Sequence, residues 1–137
     1  MKTSNLKSQI SNLKSQTSKM KRILVAEDND SNYVLMNYIL KKHYDYFRAR
    51  NGQEAVELAE SEKPDLILMD IKMPVMDGLE ATRQIKAKNP DLPIIALTAN
   101  AFDSDRHAAF EAGCNDFIPK PVNAEKCIQT IAKYIGE

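Results

Sequence analysis

Short continuous apolar runs set the strongest limit on what this chain can fold into: ILVA at residues 23–26, LILM at 66–69 and IIAL at 94–97. Each is strand-length, and each is followed by residues whose apolar positions recur at helical spacing. A strand that is apolar on both sides must be covered on both sides, and that is the condition of a parallel sheet between two layers of helices. The same punctuation adds a second strand near 46–49 and a short fifth one, FIP, at 117–119. Helices are expected over 30–42, 52–62, 78–88, 104–112 and 123–135, with Asn29 or Asp28 capping the first, Pro64 stopping the second and Gly113 closing the fourth.

Five strands alternating with five helices predict an α/β fold, a single doubly wound five-stranded parallel sheet. Right-handed crossovers leave few strand orders, of which 2-1-3-4-5, the flavodoxin-like one, is expected. The chain of 137 residues, 43% hydrophobic and 28% charged, supplies one such core. Residues 21–137 form the expected domain. Residues 1–20 stand apart: SNLKSQ at 4–9 returns at 11–16, and Leu6, Ile10, Leu13, Thr17 and Met20 fall at alternating four and three spacing. That pattern reads either as a flexible or partly helical tail or as a short dimerising coiled coil.

The tail holds four lysines and no acid, so the rest of the chain is mildly acidic although the formal net charge is zero. An acidic body without a basic face argues against a nucleic-acid partner. No apolar run approaches the ~18 residues needed to cross a bilayer, and the start lacks the apolar core of a secretory signal. No membrane insertion and a cytoplasmic location are therefore expected, with the protein a monomer or weak dimer. Cys114 and Cys127 lack metal or redox spacing and read as ordinary thiols, and His43 and His107 read as surface or boundary residues.

In an open α/β sheet, ligands bind beyond the carboxyl ends of the strands, where the strand order reverses. The first strand runs into Glu27 and Asp28, the third into Asp70, the fourth into Thr98 and the fifth toward Lys120. Three carboxylates at one edge repel one another unless a cation lies among them, and magnesium suits a few carboxylates, a backbone oxygen and retained waters. A cation, a lysine and a hydroxyl around one carboxylate are also what a phosphoryl group needs, and a carboxylate can be the nucleophile. The break after Asp70, through Pro74 to Gly78, would then leave that carboxylate open at the sheet edge.

AEDN at 26–29, LMDIKMPVMDG at 68–78, ALTAN at 96–100 and FIPKP at 117–121 resemble the four motif blocks of the response-regulator receiver domain of two-component signalling. The style of these blocks is similar to receivers of hybrid sensor histidine kinases. The resemblance implies that Asp70 is the phosphoacceptor and that Glu27, Asp28, Asp70 and the backbone carbonyl of Lys72 hold Mg2+. It implies that Thr98 and Lys120 bind the phosphoryl group, that Lys120-Pro121 is cis, and that Phe117 is the aromatic switch. Lys72 and Asn100 match positions that tune the lifetime of the aspartyl-phosphate.

The first helix carries Tyr33, Val34, Leu35, Met36, Tyr38, Ile39 and Leu40, more apolar surface than one core stripe requires. The family places a phosphohistidine-bearing partner, a histidine kinase or a histidine phosphotransfer protein, against this helix. Asn32, Tyr33, Leu35, Tyr38 and Pro121 are its expected docking residues. Such a receiver catalyses only its own phosphorylation and dephosphorylation and is not otherwise an enzyme. A chain ending at Glu137 is expected to carry no DNA-binding output domain. It would serve as a stand-alone relay, as the receiver part of a hybrid kinase, or as a phosphorylation-independent binding module of the same fold. A haloacid-dehalogenase-like enzyme would need an acid two residues beyond its nucleophile, where this chain has Lys72.

Overall fold

The computed structural model describes residues 20–99 and 103–136; the repeat in the tail and Asn100 lie outside the described residues. Ten elements alternate among the described residues: β1 (Arg22–Ala26), α1 (Asp30–Leu40), β2 (Asp45–Ala49), α2 (Gly52–Glu62), β3 (Leu66–Asp70), α3 (Gly78–Lys88), β4 (Ile94–Thr98), α4 (Asp103–Ala112), β5 (Asp116–Pro119) and α5 (Ala124–Ile135). The strands form one parallel sheet in the order β2-β1-β3-β4-β5, the expected 2-1-3-4-5.

Alternation within the apolar runs divides them between two cores. Ile23, Val25, Leu66, Leu68, Ile95 and Leu97 face α1 and α5, where they meet Met36, Ile39, Leu40, Cys127 and Ile131. Leu24, Ala26, Ile67, Met69, Ile94 and Ala96 face α2, α3 and α4, where small residues such as Ala55, Ala81 and Ala109 allow close approach. Every residue of β3 and β4 is buried, so each strand contributes to both cores, and each Leu or Ile gains about 1.5–3 kcal/mol from that burial.

The helix starts are fixed locally. Asn29, Asn51, Asp77 and Asn123 each accept a hydrogen bond at their side chains from the backbone N–H three residues on. Gly113, at φ 116, closes α4 in a conformation open to glycine. Helix α1 stops at Leu40, two residues short of the expected end, because the N–H groups of His43 and Tyr44 both turn back to the Leu40 carbonyl. Tyr44 is thereby tucked into the core and donates its hydroxyl to the Gly136 carbonyl. On α5, Cys127 and Ile131 are the buried residues, while Ile128, Ala132 and Ile135 are half-buried. His43 is half-buried and His107 exposed, as expected, and both cysteines are free thiols.

Candidate functional site at the carboxyl edge of the sheet

Sheet register assembles the site. Ala26 pairs with Met69, so the next residue, Glu27, emerges beside Asp70. Asp70 in turn lies opposite Leu97, and Thr98 lies opposite Pro119, which brings Thr98 and Lys120 to the same edge. A one-residue slip in any of these pairs would turn the side chain concerned to the other face.

Lys120 Nζ lies 3.1 Å from Glu27 Oε1 and 3.2 Å from Asp70 Oδ2, bridging the two carboxylates. Carboxylate oxygens of Glu27, Asp28 and Asp70 all lie within 4.8 Å of one another. Glu27 and Asp70 are buried, whereas Asp28 is exposed at the mouth. Because Asn29 caps α1, Asp28 is not committed to that task. The Asn29 N–H also donates to Glu27 Oε2, and the Lys72 N–H donates to Asp70 Oδ1. Glu27 Oε1 is buried with no hydrogen-bond partner among the described residues; its contact with Lys120 at 3.1 Å is an ion pair. An acceptor oxygen left in that state beside two further carboxylates fits a hard cation.

Electrostatics agree. Burial, and then the adjacent Glu27 carboxylate, push Asp70 up to about 6, and Lys120 offsets only part of this. Burial alone would lower the Lys120 ammonium; Asp70 and Glu27 outweigh it and hold Lys120 above its ordinary value.

The loop beyond Asp70 turns sharply. Gly78 N–H donates to the Ile71 carbonyl, and a Cβ at Gly78 would collide with the Asp70 carbonyl oxygen, so only glycine lets α3 start this close to β3. Lys72 is exposed, and Val75 is 82% exposed with φ 71. Thr98 is buried. Phe117 is half-buried, edge-on to Phe110 at 6.3 Å with the Arg106 guanidinium 5.4 Å from its ring centroid. The Lys120-Pro121 peptide is cis and Pro121 is exposed. On α1, Val34, Leu35 and Tyr38 are exposed, and Asn32 and Tyr33 are half-buried, so the surplus apolar surface does face outward. Nothing in the sequence marks Arg48, a lone basic residue on the edge strand β2. Its Nε donates to the Glu27 carbonyl at 2.9 Å.

No helix among the described residues is long and apolar enough to cross a membrane. The chain matches the model of the response regulator receiver domain over residues 23–132. It is 38% identical over 120 residues to the polar-differentiation response regulator DivK of Brucella anthropi, covering 85% of this chain and 98% of that protein. The receiver domain of sensor histidine kinase PA1611 from Pseudomonas aeruginosa, solved with a magnesium ion coordinated in its active site cleft, is 38% identical and superposes with a TM-score of 0.80, covering 86% and 99% of the two chains. A co-crystal of the Saccharomyces cerevisiae histidine phosphotransfer protein Ypd1 with the receiver domain of its downstream response regulator Ssk1 matches at 34% identity and a TM-score of 0.79, over 84% of this chain and 88% of that one. With its strand order, its edge of acids and lysine and these relatives in agreement, the chain belongs to the response regulator receiver domains of two-component signalling.

Proposed function

We propose that Asp70 takes a phosphoryl group from a phosphohistidine of a histidine kinase or a histidine phosphotransfer protein. The observation that carries this reading is the position of Asp70, at the end of a central strand and held between Glu27, Asp28 and Lys120. An Asp70 Oδ attacks phosphorus as the P–N bond breaks, and the leaving imidazole nitrogen retains the bonding pair and takes up a proton. Glu27, Asp28, Asp70 and the backbone carbonyl of Lys72 would hold Mg2+, which supplies charge neutralisation on the phosphoryl oxygens. Lys120 pairs with one phosphoryl oxygen, and the Thr98 hydroxyl donates to another.

Phe117 changes rotamer with Thr98; lacking a phenol hydroxyl, it can gain no hydrogen bond when turned outward. Lys72 and Asn100, which match the family's lifetime-tuning positions, set how readily water reaches the acyl phosphate. Asn32, Tyr33, Leu35, Tyr38 and Pro121 form the docking face for the phosphodonor, a reading supported by the exposure of Leu35 and Tyr38. The domain catalyses only its own phosphorylation and dephosphorylation, in the cytoplasm, as a monomer or weak dimer.

Incubation with acetyl phosphate and magnesium, followed by intact mass measurement on wild type and Asp70→Asn, tests the reading. A magnesium-dependent, base-labile gain of one phosphoryl group, absent from the variant, is expected. No adduct, together with no binding of beryllofluoride, would overturn it in favour of a module that binds its partner without phosphotransfer.

A further inference from the structure

Arg48 reaches from the edge strand β2 across the end of β1 and makes contacts on both sides of Asp28. Its Nε holds the Glu27 carbonyl, and its Nη1 lies 2.9 Å from Asp30 Oδ1. Its guanidinium carbon stands 4.6 Å from the Tyr33 ring centroid. The side chain is only 12% exposed, and Nη2 is buried with no hydrogen-bond partner among the described residues. A buried unmade donor costs on the order of 1–3 kcal/mol, and the Asp30 carboxylate is too exposed for its ion pair to offset much of that. The Nε hydrogen bond to the Glu27 carbonyl and the Tyr33 ring contact offset that cost, so the question is what those contacts hold in place. The forked geometry of Arg48 is what lets one side chain clamp a backbone carbonyl and a carboxylate three residues apart.

We propose that Arg48 is a positioning residue for the metal loop. By gripping Glu27 and Asp30 it fixes the peptide units that flank Asp28 and so aims the exposed Asp28 carboxylate toward Glu27 and Asp70. The inference rests on the magnesium reading above. It also joins that loop to the docking helix, because Tyr33 lies against the same guanidinium.

The sign of one measurement separates positioning from simple charge. Arg48 is a cation close to an acidic cluster, so removing its charge without any positioning effect would tighten Mg2+ binding. Loss of positioning loosens it.

Magnesium alone is titrated into the full chain, followed by the backbone amide resonances of residues 27–30 and 70, for wild type, Arg48→Met and Arg48→Lys, with thermal melts of each in the same buffer. Arg48→Met weakens Mg2+ roughly tenfold, the ordinary cost of losing a group that orients metal ligands. Arg48→Lys keeps the charge but not the fork, and weakens binding as well. Unchanged or tighter binding in folded Arg48→Met overturns the proposal; if that variant fails to fold, unchanged binding in Arg48→Lys does so. Wild-type protein that binds no magnesium would defeat the metal site itself, a distinct result, and this inference with it.

Discussion

Replacing Asp70 by asparagine is expected to stabilise the metal-free protein at neutral pH. Asp70 is 6% exposed, and burial together with Glu27 moves its pKa from 3.8 to about 6. Between pH 3.8 and about 6 the native state therefore keeps a proton that the unfolded chain has already released, and above that it must hold a buried charge. The stability contributed by that proton is fully present below pH 3.8 and is lost as pH rises through about 6. The full displacement corresponds to about 3 kcal/mol. Solvent at the mouth reduces it to about 1–2 kcal/mol at pH 7.5. The asparagine side chain would occupy the same volume, carry no charge and donate to Glu27, while Lys120 keeps Glu27 at 3.1 Å. For a domain of this size the gain is a rise in Tm of about 4–8 °C. Thermal melts in a chelating buffer at pH 7.5 and pH 5 measure it, and the advantage shrinks at pH 5, where wild-type Asp70 is largely protonated. Added magnesium narrows the gap at pH 7.5 by stabilising the wild type alone. A variant no more stable than wild type at pH 7.5 without metal, or a gap independent of pH, would refute the reasoning.

Gly78→Ala drives a methyl group into the Asp70 carbonyl and costs about 3 kcal/mol, read from urea unfolding; a loss under about 1 kcal/mol would mean that α3 shifts freely. Val75 holds a β-branched side chain at φ 71 while exposed, so Val75→Asn raises the urea midpoint by the equivalent of about 0.5–1 kcal/mol. Burial pushes the Cys127 thiol up to about 12 and raises Cys114 as well, so neither reacts with Ellman's reagent at pH 8 until denaturant is added. Lys72→Ala changes the rate of aspartyl-phosphate hydrolysis more than the rate of phosphorylation from a donor, and stopped-flow and decay measurements showing equal effects would contradict this. In each case the wild-type domain under the same buffer is the reference.

The element pattern and the site acids were legible for the same reason. Runs such as LILM at 66–69 carry their burial in their composition, and in a parallel sheet the residue that follows such a run must lie at the carboxyl edge, as Glu27 and Asp70 do. Ends of elements were less legible. Whether α1 stops at Leu40 or at Lys42 depends on Tyr44 finding a place in the core, and whether Asn29 or Asp28 caps it depends on loop geometry.

The sequence by itself determined the parallel sheet and the set of acids at its edge and narrowed the strand order to a few, because hydrophobic periodicity and chain-crossover handedness act locally and along the chain. Only the tertiary structure decided which groups touch. The register that puts Lys120 between Glu27 and Asp70, and the reach of Arg48 from β2 to the Glu27 carbonyl, join residues distant in sequence. Such contacts are selected by packing the whole domain at once, and no local pattern in the chain records them.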